Sequence, residues 1–216
     1  MDAVMHIAPV PPLRTVALAI ALLMLLGCAA QPPPPPPKVL TAEEAAARTV
    51  VPLTRPIALD KAGQIVDLEF ELPPVTSDEV PRLIIGLRIW GADAKKLIAE
   101  QQRIQEPALI SRVSLQRLDG DGAPVALSYR SRDRREELHV APGADIPYTT
   151  ESSVATGSLW MAGLVDQRTV YGVARIAETS PVEPGRFRLQ IALPEDRPDL
   201  KDMNVELLLA YGPRAK

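Results

Sequence analysis

A chain of 216 residues, 46% of them hydrophobic, can fill one good core, and it reads as one folded domain behind an N-terminal extension. The net charge of −3 gives no electrostatic footprint for nucleic acid, whose binding rests on clustered Lys and Arg displacing phosphate counterions. One cysteine excludes an internal disulfide framework, and two histidines, His6 and His139, are too few for a typical zinc site, so neither metal nor cofactor is expected.

The chain starts at Met1 or Met5, in a segment that holds Asp2 and little positive charge before Arg14. Thr15–Leu26 (TVALAIALLMLL) is then free of charge. As a helix rising ~1.5 Å per residue it would cover about 18 Å, short of the ~30 Å hydrocarbon core, so it reads as the apolar region of an export signal and not as a membrane span. Leu25-Leu26-Gly27-Cys28 follows, with small Gly27 at the point of cleavage. This stretch resembles the cleavage box of bacterial lipoprotein signal peptides. The resemblance implies removal of residues 1–27, a diacylglycerol on the Cys28 thiol and a further acyl chain, such as palmitate, on its freed amine. Such lipid holds a protein to a membrane with ~0.8 kcal/mol per buried methylene. Ala29, Ala30 and Gln31 come next, with no aspartate where an inner-membrane retention signal would carry one. In a host with two membranes, the expected location is therefore the outer membrane, facing the periplasm.

Pro32–Pro37 is an unbroken proline run that excludes helix and sheet. As a polyproline helix at ~3.1 Å per residue it makes a stiff spacer of about 19 Å. Thr41-Ala42-Glu43-Glu44 has the spacing of a capping box and precedes Ala45–Ala47, which predicts a short helix or frayed turn. Residues 28–48 thus form lipidated cysteine, linker and short helix, and residues 49–216 the folded body.

Within the body the dominant period is two, the mark of half-buried strands. A first strand is predicted over Val50–Leu59. Val66, Leu68, Phe70 and Leu72 then alternate with Asp67, Glu69 and Glu71. Leu83, Ile85, Leu87 and Ile89 repeat the pattern, while Ile84 and Trp90 make the second face apolar, as in a central strand. Asp93–Gln105 reads as a helix capped by Asp93, with Ala94, Leu97, Ile98 and Ile104 on one face and Pro107 as the stop, crossing between sheets. Val113 and Leu115, the Asp119-Gly120-Asp121-Gly122 turn, and Val125, Leu127 and Tyr129 predict a hairpin. Strands follow at Tyr171–Ile176, at Phe187–Leu193 after the Glu183-Pro184-Gly185 turn, and at Val205–Tyr211. About eight strands of this kind predict an all-β fold of two antiparallel sheets packed face to face.

Five stretches carry a family resemblance: ALDKAGQIVDLEFEL (Ala58–Leu72), RLIIGLRIW, SLQRLDGDGAPVAL, EPGRFRLQIAL and VELLLAYGPR. Together they look like a domain family of unknown function found in bacterial lipoproteins, across roughly Val50–Arg214. The resemblance implies an immunoglobulin-like β-sandwich behind a lipidated cysteine, and no catalytic residue, cofactor or substrate. Between Ser131 and Arg168 this chain is longer than the family's usual pattern.

Chemistry is sparse. His139 closes the charged run Arg132–His139, with no second histidine or cysteine in the chain after Cys28 and no Gly-x-Ser-x-Gly elbow, so it reads as a solvated edge. Asp119–Gly122 lacks the later ligands of a calcium loop. Glu195, Asp196, Asp199 and Asp202 are interleaved with Arg197 and Lys201, as in a solvated loop. The connection Ala141–Gln167 is the candidate binding loop, with Tyr148, Trp160 and Met161 as its large side chains, though Leu159–Leu164 also fits a strand or a core plug. The expected function is a non-catalytic envelope lipoprotein, on the membrane through its lipid, binding a protein in the periplasm or another envelope ligand. An immunity-type lipoprotein neutralising a periplasm-delivered toxin is a second reading. An envelope hydrolase is a third and requires Asp166, Glu178 or Glu183 to converge in a cleft.

Overall fold

The computed structural model describes residues 35–74, 81–91, 93–130, 136–141, 143–147, 154–165 and 170–212. Two compact units partition the chain, Met1–Pro36 and Pro37–Lys216, and the fold lies in the second. Cys28, Leu25, Leu26, Gly27, Tyr148 and Asp166 lie outside the described residues. No helix among those described is long and apolar enough to cross a membrane.

In chain order the elements are α1 (Ala42–Ala47), β1 (Leu53–Pro56), β2 (Gly63–Leu72), β3 (Leu83–Trp90), α2 (Ala94–Gln105), β4 (Ile110–Arg117), β5 (Leu127–Arg130) and β6 (Glu137–His139). They continue with β7 (Asp145–Pro147), α3 (Thr156–Met161), β8 (Tyr171–Thr179), β9 (Gly185–Leu193), a 3-10 turn at Pro198–Leu200 and β10 (Val205–Tyr211). The strands form an all-β sandwich of two antiparallel sheets, ordered β1-β10-β3-β8-β5-β6 and β2-β9-β4-β7. Period two decides which side chains meet between them. Ile85, Leu87, Ile89, Leu207 and Leu209 of the first sheet share one buried cluster with Phe70, Val113, Leu115, Phe187, Leu189 and Ile191 of the second. Phe70 stacks on Phe187 with ring centroids 5.7 Å apart, inside this cluster.

Ten strands stand among the described residues, where about eight are predicted, and the difference comes from the 131–168 insertion. It adds β6 to one sheet and β7 to the other, each three residues long and too short to show a period. Ile146 of β7 is fully buried in the core between the sheets. The predicted first strand is also shorter. Val50 forms a parallel bridge to Glu71 beside β2, and the chain then passes to the other sheet, where β1 pairs with β10.

The hairpin over Val113–Tyr129 is corrected. Its turn exists, with Arg117 N–H donating to Ala123 O at 3.0 Å and Val125 N–H to Leu115 O at 2.8 Å. The strands then part: β4 pairs with β9 and β7, while β5 pairs with β8 and β6 in the opposite sheet. Both strands face the same core from opposite sides, so their alternation is identical and does not reveal the sheet each joins.

The helices follow their caps. Thr41 and Glu44 complete the capping box of α1, Glu44 N–H donating to Thr41 Oγ1 at 3.2 Å and Thr41 N–H to Glu44 Oε2 at 2.8 Å. Asp93 Oδ1 accepts from Lys96 N–H at 2.8 Å to start α2, which links a strand of one sheet to a strand of the other. Its buried stripe is Leu97, Glu100, Gln101 and Ile104, so Ile98, expected on that face, is instead 55% exposed. One helical residue past Leu97 is rotated by about 100°, enough to leave the stripe.

Candidate functional site

The outer face of the six-stranded sheet carries a second apolar layer. Ile84, Val173, Leu208 and Ala210 point away from the main core and meet Ala45 of α1, Val154, and Leu159 and Leu164 at α3. Leu159–Leu164 is thus a helix end and a core plug, and not a strand.

Gly163 organises this layer. Gly163 N–H donates to Trp160 O at 2.9 Å and Leu164 N–H to Leu159 O at 3.0 Å, the paired bonds of a Schellman cap, with Gly163 at φ +69. The same residue receives the incoming chain: Leu40 N–H donates to Gly163 O at 2.9 Å. A Cβ at position 163 would lie 2.3 Å from the Lys38 carbonyl oxygen, so only glycine permits the approach. A half-buried ion pair holds the residue that follows, Leu164. Arg88 Nη2 lies 2.5 Å from Glu206 Oε2 across the β3–β10 pair, and Arg88 Nη1 also donates to Leu164 O. Of the predicted binding-loop residues, Trp160 is half-buried on α3 and Met161 is 68% exposed at its end.

The outer face of the four-stranded sheet is open and polar. Its alternating positions place Asp67 and Glu69 of β2 beside Arg186, Arg188 and Gln190 of β9, and these beside Ser114 and Gln116 of β4. Arg188 grips Asp67 through two bonds of 2.7 and 2.6 Å. That grip holds the Asp67 carboxyl down at about 2, against an ordinary 3.8, and keeps the Arg188 guanidinium more firmly protonated. Arg186 pairs with Glu69 at 3.3 Å and Arg112 with Asp145 of β7 at 2.6 Å. Where small Ala192 interrupts this carpet, a depression of about 220 Å³ opens between Gln64, Arg112, Ser114, Gly143 and Gln190. Its rim offers amide, hydroxyl and guanidinium groups, which suit hydrogen bonding to a polar ligand or protein surface.

A third group combines chemistry-bearing side chains. Pairing places Glu178 of β8 opposite Ser128 of β5, and Ser128 opposite His139 of the edge strand β6. Ser128 is 3% exposed, and its hydroxyl donates to Glu137 Oε1 at 2.7 Å. Glu178 accepts from Arg175 at 2.6 Å and lies 3.8 Å from Arg82. Arg175 reaches it because the β3–β8 register shifts between Ile85 and Gly86, which puts two residues three apart on one face. The carboxylate is thus neutralised by cations on an interior strand of the sheet. His139 is exposed, as its charged surroundings predict. Glu183, also exposed, sits in the turn before β9, beyond the end of β8 from Glu178.

The acidic cluster near the C-terminus disperses. Asp196 accepts from Ala62 N–H at 2.8 Å, Asp199 pairs with buried Arg197 at 2.8 Å, and Asp202 adopts φ 60 in the turn before β10. Among the described residues no group of three or more His, Cys, Asp or Glu side chains is placed to hold a metal ion. Sequence reasoning missed Gly163, the Arg88–Glu206 pair and Ser128. Gly163 and Arg88 matter through partners distant along the chain, and Ser128 through Glu137 across the β5–β6 pair. Only the glycine, inside the apolar Leu159–Leu164 stretch, carries a local signal, that of a helix C-cap.

No family model and no curated protein matches the chain. Among solved structures it is similar to a protein from Sulfurospirillum deleyianum at 12% identity and a TM-score of 0.45, over 76% of this chain and 98% of that one.

Proposed function

We propose that this chain is a lipid-anchored cell-envelope lipoprotein, held in the outer membrane facing the periplasm, whose non-catalytic sandwich binds a protein or another envelope ligand. The observation that carries the reading is the junction of tether and body. A Leu25–Cys28 lipoprotein box and the proline run lead directly into Lys38–Leu40, and that segment is built into the fold against Gly163. A terminus that merely trailed from the domain would need no glycine-only seat. The tether enters on the covered face of the six-stranded sheet, and the polar face with the depression at Ala192 lies on the other side of the sandwich, free for a ligand.

Metabolic labelling with an alkyne fatty acid tests the anchor. Wild-type protein should take up label and Cys28→Ser should take up none, accumulating as the longer precursor; equal labelling of the two refutes the reading. Cross-linking in intact cells tests the ligand. An adduct seen with wild type should disappear when Arg112 and Gln190 are both changed to alanine, and an adduct pattern indifferent to that change removes the open face as the binding surface.

A further inference from the structure

We infer that the rim formed by Val39, Trp160 and Met161 is a lipid-contacting surface, which enters the headgroup region of the bilayer that holds the anchor. The inference rests on the lipoprotein reading and adds to it a fixed contact between body and membrane.

The large hydrophobic side chains left exposed among the described residues are Val39 at 50%, Ile98 at 55%, Met161 at 68% and Val170 at 46%. Two of these are brought to one place by the Leu40–Gly163 bond, since Val39 precedes Leu40 and Met161 stands two residues before Gly163. Trp160 lies between fully buried Leu159 and exposed Met161. The exposure is built and not frayed: α3 is closed by its Schellman cap and pinned through Leu159 and Leu164 to the second apolar layer.

The tether names the occupant. Only ten positions separate Cys28 from Lys38. At ~3.6 Å per residue fully extended, they span at most about 36 Å, and a polyproline stretch spans less. The rim begins at the next residue, Val39, so an acylated Cys28 keeps it within a few nanometres of the bilayer at all times. Confinement on that scale gives a weak apolar contact a high effective concentration. The side chains suit the interface, where an indole has an apolar body and one polar N–H, and a lysine stem lies along apolar surface with its ammonium in water. Lys38 is already paired with Glu44 at 2.8 Å. Apolar contact, and not net lipid charge, therefore drives the approach, and zwitterionic phosphatidylcholine suffices.

The test uses the full acylated protein in phosphatidylcholine vesicles whose acyl chains carry bromine at shallow or at deep positions. With Trp90→Phe, Trp160 is the remaining fluorophore. The expected result is a blue-shifted emission, quenched at least twofold more by shallow than by deep bromine. Val39→Asp combined with Met161→Asp should remove most of the quenching while the thermal unfolding midpoint is retained. If Trp90→Phe does not fold, the difference between wild type and Trp160→Phe isolates the same signal. Acylated protein that floats with the vesicles but shows no quenching of Trp160 overturns the inference and leaves the anchor standing. Quenching that survives the double aspartate substitution, or a rim buried instead by concentration-dependent self-association, also overturns it. Protein without the acyl mass on Cys28, not floating at all, overturns the lipoprotein reading itself.

Discussion

The outer faces of the two sheets, built from strands of the same period, have opposite fates. On the six-stranded sheet, Ile84, Val173, Leu208 and Ala210 are covered by Leu159, Leu164, Val154 and Ala45. On the four-stranded sheet, Asp67, Glu69, Arg186 and Arg188 meet water and one another. Single strands repeat the contrast: β3 is buried or half-buried at every position, whereas β2 alternates. The cover comes from two segments far apart in sequence, residues 40–47 and 154–165, and the first follows directly on the proline run. A sheet face is thus specified jointly with the segment that lies on it, and here the cover also decides where the N-terminal segment joins the body.

The comparison breaks first at the plug. Leu159→Ala removes a fully buried side chain from the covered face and should cost about 3–4 kcal/mol in urea unfolding, the range for leucine truncation in a close-packed site. Ser114→Ala on the open face, by contrast, should stay within about 0.5 kcal/mol, as surface substitutions do. Equal losses from both would mean that the second apolar layer adds nothing. Next in size is Glu206→Ala. It leaves the Arg88 guanidinium uncompensated where the two side chains are 14% and 15% exposed. A cost of about 2–3 kcal/mol is expected, below that of breaking a fully buried pair because water still reaches both. Arg88→Met with Glu206→Leu should recover most of the loss, since a matched apolar pair leaves no charge stranded.

Gly163→Ala is the smaller change in mass and the sharper probe of how Lys38–Leu40 and the cover are joined. A Cβ strains the φ of +69 and strikes the Lys38 carbonyl. About 1–2 kcal/mol of global stability should go, as for any non-glycine residue forced into the left-handed region. The local effect should be larger: the Leu40 amide should lose its protection from hydrogen exchange, and trypsin should cut sooner after Lys38 and Arg48. An unchanged Leu40 amide would show that the seat does not depend on glycine.

Local pattern carried the element types and little of their assembly. Val66–Leu72 alternates so regularly that its buried and exposed faces follow directly, and the apolar second face at Ile84 marks β3 as a strand covered on both sides. The parting of β4 from β5 is invisible because each strand presents the same alternation to one shared core. Strands of three residues, β6 and β7, hold too few positions to show a period at all. Arg175 and Glu178 look as though they should face opposite ways, and only the register shift beside Gly86 reverses that. For the candidate surfaces, exposed Met161 was readable as a large side chain in a long connection. The depression at Ala192 was not, because it depends on which small residue lies between Gln64 and Arg112 across three strands.

The smallest effect tests the open face through pH. Arg188, first through its hydrogen bonds and also through its charge, lowers the Asp67 carboxyl in the folded protein from an ordinary 3.8 to about 2, with Gln64 and Gln190 adding hydrogen bonds. A carboxyl that is more acidic folded than unfolded favours folding when ionised. Its contribution is therefore complete above pH 3.8 and is lost as the pH falls towards 2. The urea midpoint of the wild type should accordingly fall across that window more steeply than that of Asp67→Asn, and the two curves should approach each other at its acid end. Some slope should persist in the variant, because the Glu44 and Asp199 carboxyls are also lowered, by Lys38 and Arg197 respectively. At neutral pH the two proteins should differ little, since both partners are open to solvent and such pairs are screened. Curves that run parallel from about pH 4 down to about 2 would mean that the Asp67–Arg188 grip is no stronger in the folded chain than in the unfolded one, and that the open face is held by its inward side chains alone.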